Sequence, residues 1–220
     1  IPATLRCLNG ALSGAISTER ERQIRLFRLS VFASWAKLKE SISEIEALGM
    51  LMHGASDAEH ADCVFWRAAV EQLRGNYEAA SAGFARSTKM NLALGRRVWV
   101  ARSLAAEAVQ MCLGRSGPAK EYAEKAVEVA GDDVMARARA LHMLHFVLSA
   151  SGTGNESREA GLLALEACDV AGNQKRALEI LNMLAFEDVK LGKFQRAEEM
   201  LVDIVQRAQR LGRKHVEGYA

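Results

Sequence analysis

A chain of 220 residues, 50% apolar and 25% charged, is long enough to bury a substantial core and has the balance of an ordinary soluble protein. Its 29 basic and 27 acidic residues are interspersed and leave a formal charge of +2, so no strong field exists to draw nucleic acid or an anionic membrane. No apolar run reaches membrane-spanning length. Cys7, Cys63, Cys112 and Cys168 lie far apart without a Cys-x-x-Cys pair, which points to reduced thiols and a cytoplasmic setting rather than a disulfide framework.

Apart from Val98-Trp99-Val100 there is little β-branched or aromatic alternation, and the chain reads as all-α. Leu5, Leu8 and Leu12 form a first helical stripe before Gly14. Thr18-Glu19-Arg20-Glu21 has capping-box spacing and is followed by Ile24, Phe27 and Val31; a second helix is expected from about Trp35 through Leu38, Ile42, Ile45 and Leu48. Ser56-Asp57-Ala58-Glu59 is another capping box, opening a helix with Val64, Phe65, Ala68, Ala69 and Leu73. The turn at Gly75-Asn76-Tyr77 leads into Ala80, Phe84 and Ser87.

The next pair spans about 96–130, turning at Leu113 to Pro118, with Pro118 suited to the first helical position, where no N–H donor is needed. Asp132 or Asp133 can cap a helix carrying Met135, Ala138, Leu141, Leu144 and Leu148, and Ser151 to Asn155 turns into Ala160, Ala164 and Ala167. A last pair turns at Leu191-Gly192-Lys193-Phe194 and continues through Ala197, Leu201 and Ile204. Arg207, Arg210, Arg213 and Lys214 suit a helix C-terminus, where cations complement the dipole.

Aligned on Ala80, Ala119, Ala160 and Ala197, these pairs recur at a period near 40 residues, the signature of stacked helical repeats. Gly-Asn-Tyr-x-x-Ala at 75–80 and Gly-Lys-Phe-x-x-Ala at 192–197 resemble the turn of the tetratricopeptide repeat family. The family's Trp and Gly in the first helix and its closing Pro are missing, and the period exceeds the usual one of about 34 residues. The chain is more similar to the longer repeats in regulatory regions of bacterial maltose-activator-type transcription regulators, in signal-transduction ATPases and in kinesin light chains. The resemblance implies a right-handed superhelical solenoid of about five antiparallel helix pairs, at about 18–52, 56–94, 96–130, 133–171 and 174–212, in one repeat domain over 1–220. The opening lacks an initiator Met and Lys214 to Ala220 reads as the start of another helix, so the chain is expected to be a fragment of a longer protein.

Little in the sequence points to chemistry. His142 and His145 share a helix face, but no third metal ligand appears at helical spacing. Phosphate-loop, nucleophile-elbow and dinucleotide motifs are absent, so neither enzyme activity, cofactor nor metal is expected. The resemblance implies instead that the first helices line a groove, which projects Phe65, Gln72, Arg102, Met111, His142, His145, Ser149, Asn182, Phe186 and Lys190 toward a ligand. The same spacing lets Phe65, Met111 and Phe186 pack between helices. The expected function is a protein- or peptide-binding regulatory domain, within a bacterial transcriptional or signalling regulator. Alternatives are small-molecule sensing in a cavity lined by Arg102, His142 and Asn182, and self-association through the ends.

Overall fold

The computed structural model describes residues 2–14, 16–115 and 117–210, with side chains from Arg6 onward. Arg213, Lys214 and the expected further helix from Lys214 lie outside them. The described residues form helices joined by short turns and contain no strand. Backbone contacts group the chain into two compact units, Ile1–Ser103 and Leu104–Ala220, with the boundary inside one helix.

The first unit holds α1 (Pro2–Leu12), α2 (Thr18–Ser34), α3 (Leu38–Leu51), α4 (Asp57–Leu73), α5 (Tyr77–Ala93) and the opening of α6 (Arg97–Leu113). Two serines fix where α2 and α4 begin. The Ser17 hydroxyl accepts from the Arg20 N–H at 3.3 Å, so Ser17 caps α2 in place of the expected Thr18. The Ser56 hydroxyl accepts from the Glu59 N–H at 3.3 Å, while the Ser56 N–H donates to Glu59 Oε2 at 2.9 Å, completing the expected capping box. The helix expected from Trp35 starts at Leu38, because Trp35 caps α2 and Ala36 turns the chain at φ 52°.

α2 pairs with α3, burying Leu29 and Leu48, and α4 pairs with α5, where the Phe65 and Phe84 ring centroids lie 5.1 Å apart. A Cβ on Gly83 would lie 2.7 Å from the Ala68 Cβ, so α4 and α5 approach here to a distance that only glycine permits. The buried Glu44 of α3 is held by Arg25 at 3.3 Å and Arg28 at 2.8 Å from α2.

The second unit takes the rest of α6, then α7 (Ala119–Ala130), α8 (Val134–Ala150), α9 (Gly154–Val170), α10 (Gln174–Lys190) and α11 (Phe194–Arg210). The Asp133 carboxylate caps α8 by accepting from the Ala136 N–H at 2.7 Å, and Pro118, expected at the first helical position, is instead the N-cap of α7, which begins at Ala119. The core is built from small and aliphatic side chains: Ala138, Leu141, Ala164, Cys168, Ala177, Ile180 and Leu184, followed by Leu178, Leu181, Ile204 and Ala208.

Helices of 17 residues joined by three-residue turns explain the long period: α4 to α6 and α9 to α11 each advance by 40 residues. The register differs from the alanine alignment in the middle repeats. Ala80 and Ala197 are the fourth residues of α5 and α11, but Ala160 is the seventh of α9, where Ser157 fills the fourth place and is fully buried. Small residues recur at three- and four-residue intervals on one buried face, so they locate the face without fixing the register. The turn glycines fix it, since Gly75, Gly152 and Gly192 adopt φ of 80°, 78° and 72° just past the helix end.

Candidate functional site

In the first unit three helical stripes converge. α2 contributes Gln23, Leu26, Phe27 and Ser30, α4 contributes Glu59, Asp62 and Trp66, and α6 contributes Trp99 and Arg102. Apart from the adjacent Leu26 and Phe27, these residues stand three, four or seven apart within each helix, the spacing that places side chains on one face. They line a recess of about 300 Å³. Phe27 is 51% exposed at its mouth, whereas Trp66 is buried.

The walls are held by stacking. The Arg102 guanidinium carbon lies 4.6, 4.5 and 4.7 Å from the ring centroids of Phe65, Trp66 and Trp99, and Arg96 lies 4.9 Å from Trp99. Behind them Phe65 packs edge-on against Trp66 at 5.0 Å and Trp99 at 5.5 Å, and tilted against Phe84 at 5.1 Å. Such pairs favour one arrangement over many, so the rings form a fixed surface.

The acidic groups are paired across helices. Arg22 Nε donates to Glu59 Oε1 at 2.9 Å, and Arg96 donates to Asp62 Oδ1 at 2.8 Å and to the Ala58 carbonyl at 3.1 Å. The Arg22 hydrogen bond leads the effects that hold the Glu59 carboxyl below its ordinary range. Burial raises Asp62 against the pull of Arg96.

The second unit puts its polar groups inside. His145 and Ser157 are fully buried, and Glu187 is nearly so. His145 Nδ1 donates to the Ser157 carbonyl at 2.8 Å, and the Ser157 hydroxyl donates to Glu187 Oε1 at 2.5 Å. Arg176 donates to His142 Nδ1 at 2.8 Å, so that nitrogen is the bare one. Asp188, fully buried, pairs with Arg158 at 2.9 Å and Arg196 at 3.4 Å. Burial pushes His142 well below the ordinary imidazole value, helped by Arg176, and lowers His145 despite the nearby Glu187.

Serine, histidine and carboxylate meet here in the wrong order for nucleophilic catalysis. The hydroxyl is committed to Glu187, the imidazole N–H to a carbonyl, and neither reaches solvent. The arrangement ties α8, α9 and α10 together. Among the described residues no three His, Cys, Asp or Glu side chains are placed to hold a metal ion, and no helix is long and apolar enough to cross a membrane.

The ten residues projected from the sequence therefore divide. Arg102 lines the recess, Phe65 backs it at 4% exposure, and Gln72 is half-buried farther along α4. His142 and His145 belong to the buried network, while Ser149, Asn182 and Met111 are half-buried, Met111 with its sulfur against the Gly117 turn. Phe186 is 59% exposed, with Lys190 Nζ 4.6 Å from its ring centroid. The projection misses Phe27, Asp62, Trp66 and Trp99. A signal for Trp66 was present: four and seven residues before it stand Asp62 and Glu59, a polar face, whereas four before and three after Phe65 stand Ala61 and Ala68, a core face.

The fold is similar to that of RapI in its apo form, with a TM-score of 0.64 at 12% identity, covering 97% of this chain and 85% of that one. It is also similar to a Podosopora anserina putative kinesin light chain with nearly identical TPR-like repeats. That protein gives a TM-score of 0.60 at 16% identity, covering 90% and 100% of the two chains, and a point-substituted form gives 0.62 at 15% with the same coverage. Neither a protein-family model nor a curated protein sequence matches the chain. The chain thus has the tetratricopeptide-like helical-repeat fold that its turn motifs resemble.

Proposed function

We propose that this protein is a non-catalytic scaffold that binds a protein or peptide and acts as a regulatory domain of a bacterial transcriptional or signalling regulator. The observation that carries this reading is the recess on α2, α4 and α6, where the exposed Phe27 and half-buried Trp99 stand over the stacked Trp66 and Arg102, beside charges already paired. A preformed surface of this kind loses little entropy on binding, and aromatic and arginine side chains are the residue types that dominate protein interfaces. The helical-repeat fold supports it by presenting side chains of successive first helices in a row.

The test is the melting temperature of the chain with a mixture of random heptapeptides and, separately, with a mixture of amino acids, sugars and nucleotides. A ligand that prefers the native state raises the transition. A rise with the peptides is expected. A rise with the metabolites alone would overturn the peptide reading in favour of small-molecule sensing.

A further inference from the structure

We infer that the recess between α2, α4 and α6 is an anchor subsite that takes one bulky uncharged side chain, aromatic or large aliphatic, from an extended peptide. This inference rests on the peptide-binding reading and names the chemistry that the site selects.

Charge complementarity decides the class of side chain. Every carboxylate on the rim already has a guanidinium: Glu59 has Arg22 and Asp62 has Arg96. An incoming carboxylate would meet Glu59 and Asp62 side by side on α4. An incoming ammonium or guanidinium would meet Arg102 and Arg96, which already lie against the Trp66 and Trp99 rings. Neither sign of charge finds an opening. What stands uncovered is apolar: Phe27 is 51% exposed, and Leu26 and the tryptophans complete the walls.

Enclosure rather than volume decides between a free compound and a side chain. Pockets that enclose whole ligands run from about 300 to 1,000 Å³ and cover most of the ligand surface. This recess is about 300 Å³ and open on one side, with room for one large side chain while the rest of its chain stays outside. On the α2 rim the Ser30 hydroxyl donates to the Phe27 carbonyl at 2.7 Å and the Gln23 amide to Glu19 at 3.4 Å, which leaves the oxygens of both to accept from a peptide N–H at the mouth.

The tryptophans report on the site. Of the three in the chain, Trp66 and Trp99 are pocket walls and Trp35 lies at the end of α2, so Trp35→Phe leaves an emission signal that belongs to the recess. This variant is titrated with blocked heptapeptide pools whose central residue is Phe, Leu, Lys, Glu or Ser and whose flanks are randomised over Ala, Ser, Thr and Gln. Melting temperature is followed in parallel. The Phe and Leu pools are expected to change the emission saturably and to bind on the order of tenfold more tightly than the others. Phe27→Ala, at a position exposed enough to leave the core intact, is expected to weaken them by about tenfold. Equal or tighter binding of the Lys or Glu pool, or binding indifferent to Phe27→Ala, would overturn the anchor. A higher melting temperature with unchanged emission would leave the peptide reading standing and remove the anchor from this recess. No response in either signal would remove both.

Discussion

The two units solve the same problem, burying helices against helices, and the contrast lies between the polar groups around the aromatic recess of the first and those around His145 in the second. In the first, Glu59, Asp62, Arg96 and Arg102 sit at the edge of an aromatic cluster and remain partly solvated. In the second, His145, Ser157 and Asp188 are wholly buried in a core built largely from alanine and aliphatic side chains. Around the rings of α4 and α6 charge is left at the rim and shapes the recess, while elsewhere the same unit buries Glu44, Ser87 and Asn91. Where small residues let helices approach closely, polar groups are enclosed and bond to one another, although His145 Nε2 and Glu187 Oε2 are left without a hydrogen-bond partner, and an unpaired buried polar group costs about 1–3 kcal/mol. The first arrangement suits recognition, and the second suits fixing how three helices meet.

The largest expected effect tests the aromatic half of that contrast. Phe65→Ala removes the ring against which Trp66, Phe84 and Trp99 pack and beside which Arg102 stacks. Urea unfolding should show a loss of about 3–5 kcal/mol, the usual cost of deleting a buried aromatic side chain. A loss below about 1 kcal/mol would mean that the cluster closes over the gap and is not the rigid wall described here.

Acidification tests the polar half. The folded values of His142 and His145 lie below the imidazole's unperturbed 6.5, so as pH falls the unfolded chain takes up protons first. Their contribution to stability is complete above about pH 6.5 and is lost as pH falls from there toward the folded values. The groups facing them are Arg176, His145 and Arg139 at His142, and Glu187, Arg158 and the Ser157 carbonyl at His145. The melting temperature should therefore drop between pH 7.5 and 5. His142→Asn, which keeps an acceptor for Arg176 but does not titrate, should flatten that drop. An unchanged slope would place the acid sensitivity elsewhere.

The sequence reveals most of the fold because its signals are local. Gly75 and Gly192 mark turns through a backbone conformation that other residues resist, Ser56 and Glu59 mark a helix start, and the apolar stripes mark buried faces. The site is harder to read because it depends on which of two adjacent positions faces the core. Phe65 and Trp66 differ by one step, about 100° around the helix, and both are aromatic. Only the company they keep, alanines on one side and carboxylates on the other, tells them apart. Ser157 was hidden for a related reason, since its partners His145 and Glu187 lie 12 and 30 residues away and no local pattern joins them.

Phe186 supplies the smallest effect and the sharpest contrast with Phe65, because by sequence spacing alone the two have the same choice between groove and core. Phe186 is 59% exposed, and Lys190, itself exposed, lies over its ring at 4.6 Å. A cation over a solvated ring is worth about 0.5–1 kcal/mol, and removing an exposed side chain leaves no cavity. Phe186→Ala should therefore change urea stability by no more than about 0.5–1 kcal/mol, several-fold less than Phe65→Ala. A loss approaching that of Phe65→Ala would mean that the ring is covered in solution, and the division of the two phenylalanines into wall and surface would not hold.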